Sequence, residues 1–186
     1  MESHQDRRDL IVKTVVQRAK EGHFVFVPLT RVKSVNTYVR LINEEAEDKI
    51  ARGFLGGMKK EARKQMIEDA RQYKFKVMVG NSSLISTGIN IPRASAIIER
   101  ITLTSNIPTA VQRMSRILTP WEDKPDPLIV LVLDDGEKEV VSATRNEYYN
   151  GLVALFNPII DQLTQAKIND YFKPGKVSTG FSRADF

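Results

Sequence analysis

Val79-Gly80-Asn81-Ser82-Ser83-Leu84-Ile85-Ser86-Thr87-Gly88-Ile89-Asn90-Ile91-Pro92, followed further on by Gln112-Arg113-Met114-Ser115-Arg116, decides how this chain folds. The first stretch leaves a clear strand, Lys76-Val77-Met78-Val79, and leads towards a second, Ala96-Ile97-Ile98-Glu99, with an extension to Leu103. Arg113 and Arg116 lie near the start of a polar helix, which delivers the chain to Leu128–Leu133, the most apolar strand of all. Towards the N-terminus, Asp9 to Lys20 reads as a helix with Leu10, Ile11, Thr14, Val15 and Ala19 on one face, Asp9 as N-cap and Gly22 as its end. His23-Phe24-Val25-Phe26-Val27 is a continuous apolar strand of the type buried on both faces, closed by Pro28. Ser34 to Asn43 forms the next helix. Ala51 to Leu55 is a weaker strand, turned by Gly56-Gly57 into a charged helix over Lys59 to Gln72. This alternation predicts an α/β domain with a mainly parallel sheet wrapped by helices on both sides.

Composition bounds the partners. A chain of 186 residues with 41% apolar and 27% charged content can bury a sizeable core. A formal charge of +5 favours an anionic partner. Cysteine is absent, which excludes disulfides and thiolate metal sites and fits a reducing, cytoplasmic compartment. His4 and His23 stand in no ligand cluster, so no metal site is expected, and His23 is read as packed or solvated. The apolar runs are too short for a membrane span, and Met1-Glu2-Ser3-His4-Gln5 is too polar for a signal peptide.

Two arginines three apart suit a clamp for phosphate charge, because guanidinium stays charged and offers a planar fork of donors. A charged helix face alone would place them the same way, so their position in the order of elements carries the reading. That order resembles the second RecA-like domain of superfamily 2 helicases, where a sequence like Gln-x-x-Gly-Arg-x-x-Arg follows one like Thr-Gly-Ile-Asp-Ile-Pro. The resemblance runs from about Asp9 to Asp134. It implies a nucleic-acid contact at Thr30 and Arg31, after Val25-Phe26-Val27-Pro28-Leu29; Thr30 serves equally as a helix cap, and both roles can hold. In Phe54-Leu55-Gly56-Gly57-Met58, Gly56 and Gly57 either let the bound strand approach or simply permit a turn. Of the following basic residues, Lys59 and Lys60 are the better candidates for phosphate contact, and the rest read as a solvated face. Asn81 or Ser82 takes the backbone-contacting place after the strand, while Gly88 and Asn90 either face the nucleotide or shape a turn. Asn90 stands where many members carry Asp.

In Gln112-Arg113-Met114-Ser115-Arg116-Ile117-Leu118-Thr119, Arg116 matches the first arginine of the family ending; Ser115 replaces its glycine and Thr119 its last arginine. Arg116 is therefore the expected stabiliser of charge on the transferring phosphoryl group. Gln112 is expected to orient it or approach the nucleotide, and Arg113 to face the nucleotide or pair with an acid on the domain surface. No phosphate loop is present: Pro174-Gly175-Lys176-Val177 lacks the first glycine and the hydroxyl. No acidic magnesium motif is present either, and Asp134-Asp135-Gly136 comes too late in the order. The resemblance places both in a first RecA-like domain that would bind ATP and Mg2+, leaving this chain inactive as an ATPase alone. The start directly in a basic helix is expected of a half made separately or cut from a longer protein.

The domain reading is therefore a RecA-like domain over 1–136, a helical extension over 137–172 and a flexible tail over 173–186. Its expected partners are single-stranded or branched DNA and the N-terminal RecA-like domain, in a phage or bacterial repair or branch-migration helicase. Two other classes stay open. One is a nucleic-acid-binding module without motor function, suggested by Asn90, Ser115 and Thr119; the other is a protein-interaction domain docking through Tyr148, Tyr149, Leu152 and Phe156.

Overall fold

A computed structural model describes residues 2–87, 89–100 and 107–132. In chain order the elements are α1 (Glu2–Lys20), β1 (Phe24–Leu29), α2 (Val32–Ala46), β2 (Ala51–Phe54), α3 (Lys60–Arg71), β3 (Val77–Asn81), α4 (Ser82–Thr87), β4 (Ala94–Arg100), α5 (Ile107–Ser115) and β5 (Leu128–Val132). The strands make one five-stranded sheet in the order β2-β3-β1-β4-β5, with every pairing parallel. The α/β alternation read from the sequence is the observed architecture. The proposed helices over 137–172, the tail, Leu103, Asp134-Asp135-Gly136 and Gly88 lie outside the described residues.

Period-two alternation divides the core into two layers. Val25, Val27, Val77, Val79, Ile98, Val130 and Val132 point to the side covered by α1 and α2, through Ile11, Val15, Val35 and Ile42. Phe24, Phe26, Met78, Ile97 and Leu131 point to the other side, against Ala70 of α3, Ile85 of α4, and Ala110 and Met114 of α5. Both faces are covered, so β1 and β5 read as unbroken apolar runs.

Several boundaries differ from expectation. Asp9 lies inside α1 and does not cap it. Pro28 belongs to β1 and does not close it. Val25 N–H donates to Lys76 O at 2.8 Å, so the odd residues of β1 hydrogen-bond towards β3. Pro28 therefore faces the β4 side, where pairing runs only over Phe24–Phe26, and its missing N–H interrupts no rung. The segment after β3 is the short helix α4. α5 ends at Ser115, so Arg113 and Arg116 stand at the end of the polar helix and beyond it, not near its start.

At the opposite edge from the strand C-termini, His23 is buried, with Nδ1 3.0 Å from Ser95 Oγ. It is packed. On edge strand β2, Arg52 donates to Asp69 at 2.7 Å, and Asp69 also accepts from Gln65 and Lys74. No helix among the described residues is long and apolar enough to cross a membrane.

Candidate nucleic-acid edge and nucleotide-facing turn

Because β2, β3 and β1 are adjacent and parallel, their C-terminal ends form one edge. Leu29 pairs with Asn81, and Phe54 with Gly80, so the three ends finish nearly level. This sets Thr30-Arg31, Gly56-Gly57 and Asn81-Ser82 side by side, with Lys59 opening α3 nearby. Thr30, Arg31, Gly56, Gly57 and Lys59 are exposed there, and Asn81 and Ser82 are half-buried. Thr30 is not the helix cap: the N-cap position of α2 falls on Arg31, whose side chain makes no capping bond.

The glycines separate a structural need from a functional one. A Cβ at Gly80 would stand 3.0 Å from Phe54 O, so a side chain there would press on the paired strand. A Cβ at Gly57 would meet nothing within 4 Å, and at Gly56 only Leu84 Cδ1 at 3.8 Å. Neither has positive φ, for Gly22 is the only such glycine among the described residues. Chain sterics thus do not demand glycine at 56 or 57, which favours close approach of a ligand over a turn requirement. The turn is braced from α3: Arg63 Nη2 donates to Gly56 O at 2.8 Å, its guanidinium carbon lying 5.8 Å from the Phe54 ring centroid.

Asn81 is oriented by its neighbour. Its Oδ1 accepts from Ser83 N–H at 3.0 Å and from Ser83 Oγ–H at 2.6 Å. With Oδ1 occupied, the amide N–H2 is the group of Asn81 whose polarity suits a phosphate oxygen.

The residues assigned to the nucleotide occupy a different place. Asn90 precedes β4 and is exposed, its carbonyl accepting from Arg71 Nε at 3.0 Å. Arg116 precedes β5 on the turn after α5, half-buried, its N–H donating to Arg113 O at 3.1 Å. β4 and β5 are neighbours, and parallel pairing brings the chain back to the N-terminal side of the sheet before each. Ile89, Ile91 and Ile117, which flank Asn90 and Arg116, belong to one core layer. Gln112 is exposed on α5, and its carbonyl accepts from Ser115 Oγ at 2.9 Å.

Arg113 departs from expectation. Only 6% exposed, it donates from Nη2 and Nε to Glu99 on β4 at 2.6 and 3.0 Å. Its fork is spent on an interior carboxylate, so it is neither presented to phosphate nor paired with a surface acid. Burial pushes the Glu99 carboxyl above its ordinary value, and the bonds from Arg113 pull it the other way.

Sequence reasoning passed over Glu99, Arg63, Ser83 and Lys124. Glu99 had a signal: an acid in the apolar run Ala96-Ile97-Ile98-Glu99 needs a buried partner. The other three had none, since polar residues in charged or hydroxyl-rich segments look alike until their contacts are seen. Among the described residues no cluster of His, Cys, Asp or Glu is arranged to hold a metal.

With a parallel sheet, a convergent strand edge and an arginine turn established, the family match falls on the same segment. Residues 6–118 match the helicase conserved C-terminal domain. The chain belongs to that family. This helicase domain is similar in fold to Saccharomyces cerevisiae Dbp5 bound to RNA and ADP BeF3, with TM-score 0.58 and 17% identity over 80% of this chain and 36% of that one. It is likewise similar to the Mycobacterium smegmatis helicase Lhr bound to ssDNA and AMP-PNP, with TM-score 0.56 and 18% identity over 79% of this chain and 19% of that one. For the Pyrococcus furiosus Hef helicase domain the TM-score is 0.51, with 17% identity over 77% of this chain and 28% of that one. The helicase domain therefore spans about a third or less of these proteins. No curated protein matches the chain significantly.

Proposed function

We propose that this chain is the second motor domain of an ATP-dependent superfamily 2 DNA helicase or translocase. The observation that carries the reading is the separation of two sites on one sheet. Thr30, Arg31, Gly56, Gly57, Lys59, Asn81 and Ser82 share the edge formed by three strand ends, and Asn90 and Arg116 occupy the turns before β4 and β5.

A nucleic-acid strand laid along the first site would meet a hydroxyl, an amide and two uncrowded glycines. Arg116, on the second, would face the γ-phosphate of ATP held with Mg2+ by a first RecA-like domain. Gly88, Asn90 and Gln112 would border the nucleotide. ATP binding closes the cleft by recruiting Arg116, and hydrolysis reopens it, shifting the strand between domains. DNA is favoured over RNA by the likeness of Ser86-Thr87-Gly88-Ile89-Asn90-Ile91-Pro92 to phage and bacterial repair or branch-migration helicases.

The test is ATP hydrolysis by this domain joined to its first domain, with single-stranded DNA, forked DNA or RNA. Arg116→Ala is expected to lower nucleic-acid-stimulated turnover by about a thousandfold while leaving binding intact. Turnover unchanged in the variant would remove Arg116 from the ATP site. Thr119, in place of an arginine, favours a second reading, an ATP-independent binding module; affinity for DNA with no ATP response in the joined protein would establish it.

A further inference from the structure

The chain is held on both sides of Arg116. On the N-terminal side stands Arg113, locked bidentately to Glu99. On the C-terminal side, Lys124 Nζ donates to Ile117 O and to Thr119 O, each at 2.6 Å. These carbonyls belong to the segment just past α5, where helical carbonyls lose their intrahelical partners and the dipole end is negative. An ammonium there satisfies both needs at once.

The start of this turn is also held by buried Ile117 and by the N–H groups of Arg116, Ile117 and Leu118, which donate to the carbonyls of Arg113, Met114 and Ser115. Leu118 to Asp123 are all exposed, so apolar packing does not fix them. Pro120 and Pro125 restrict the backbone, and Asp123 takes a left-handed conformation at φ 57°. Lys124 itself is half-buried, and burial lowers its amine from the ordinary value. Thr119 contributes a main-chain oxygen to this bridge.

We infer that Lys124 is a positioning residue for Arg116: by bridging the Ile117 and Thr119 carbonyls, its ammonium fixes the turn that aims the guanidinium at the nucleotide. The inference rests on the motor reading for what Arg116 acts upon, and on the local geometry for how it is held.

Two measurements test it separately. Trp121, the only tryptophan and 52% exposed, lies inside the bridged turn and reports its rigidity in the isolated chain. Lys124→Met is expected to lower its fluorescence anisotropy, and Lys124→Arg, which keeps the donors, to restore it. In the joined two-domain protein, Lys124→Met is expected to reduce kcat by about tenfold or more with KM for ATP and DNA affinity nearly unchanged, and Lys124→Arg to recover most of the loss. Unchanged anisotropy, or wild-type kcat in Lys124→Met, overturns the inference. So does a loss shared by kcat, DNA affinity and melting temperature that Arg fails to rescue, which marks a merely structural lysine. Absence of turnover in the wild type, or indifference to Arg116→Ala, overturns the motor reading and the inference with it; anisotropy then still reports whether the bridge exists.

Discussion

Arg113 and Arg116 are three positions apart, yet their environments differ. Arg113 turns inward from the last turn of α5 to Glu99, while Arg116 stands half-buried on the turn beyond. A buried pair of this kind is weak evidence for net stability, because two desolvated charges cost about what their attraction returns, but breaking it leaves a carboxylate stranded. Arg113→Met is therefore expected to lower unfolding free energy by about 3–5 kcal/mol in urea denaturation, and Glu99→Met with Arg113→Met to recover most of it. The single variant's deficit should shrink on acidification, since a Glu99 pKa raised by burial makes the protonated, partner-free form the stable one at low pH. A single-variant loss below about 1 kcal/mol would mean that water reaches the site.

At the scale of elements, strand ends and turns decide what the domain can bind. A side chain at Gly80 of β3 would crowd the carbonyl of Phe54, whereas Gly57 sits in open space. Gly80→Ala is expected to destabilise by about 1–3 kcal/mol through forced displacement of Phe54. Gly57→Ala should leave stability unchanged or raise it by up to about 1 kcal/mol, since its backbone conformation admits alanine. If a strand passes close to this turn, the same variant weakens DNA binding despite normal folding. Equal DNA affinity in Gly57→Ala and wild type would show that the glycine is dispensable to the track. The helices were legible from apolar spacing, and α3 and the end of α1 fall where the sequence put them, but the starts of α1 and α2 do not. Arg31 occupies the α2 cap without a side-chain capping bond, and Asp9, a good capping residue by type, lies mid-helix. Capping preference is worth too little to override where packing against the sheet sets a helix's ends.

At the scale of the molecule, two titrations among the described residues remove stability on acidification. Burial lowers the His23 pKa from its ordinary 6.5, so its contribution is complete above that value and is lost as pH falls through the folded-state pKa. Bonds from Gln65, Lys74 and Arg52 lower Asp69 from 3.8 to about 2, so its contribution is lost between those values on further acidification. Melting temperature is expected to fall in two steps, the first below pH 6.5 and absent in His23→Gln, the second in the acid range and absent in Asp69→Asn. A first step that persists in His23→Gln would assign it elsewhere. What the sequence determined by itself was the alternation: apolar runs such as Phe24–Val27 and Val77–Val79 must be buried on both faces, and helices at the right spacing must cover them. The family resemblance grouped the edge residues, and the strand order that sets their strand ends side by side came from the structure. Only the tertiary structure decided which arginine is spent inside, that Ser83 occupies the Asn81 side-chain oxygen, and that Lys124 bridges the carbonyls after Arg116. Those outcomes depend on which side chains meet across elements distant in the chain, and a one-dimensional pattern of apolar and polar positions carries no distances.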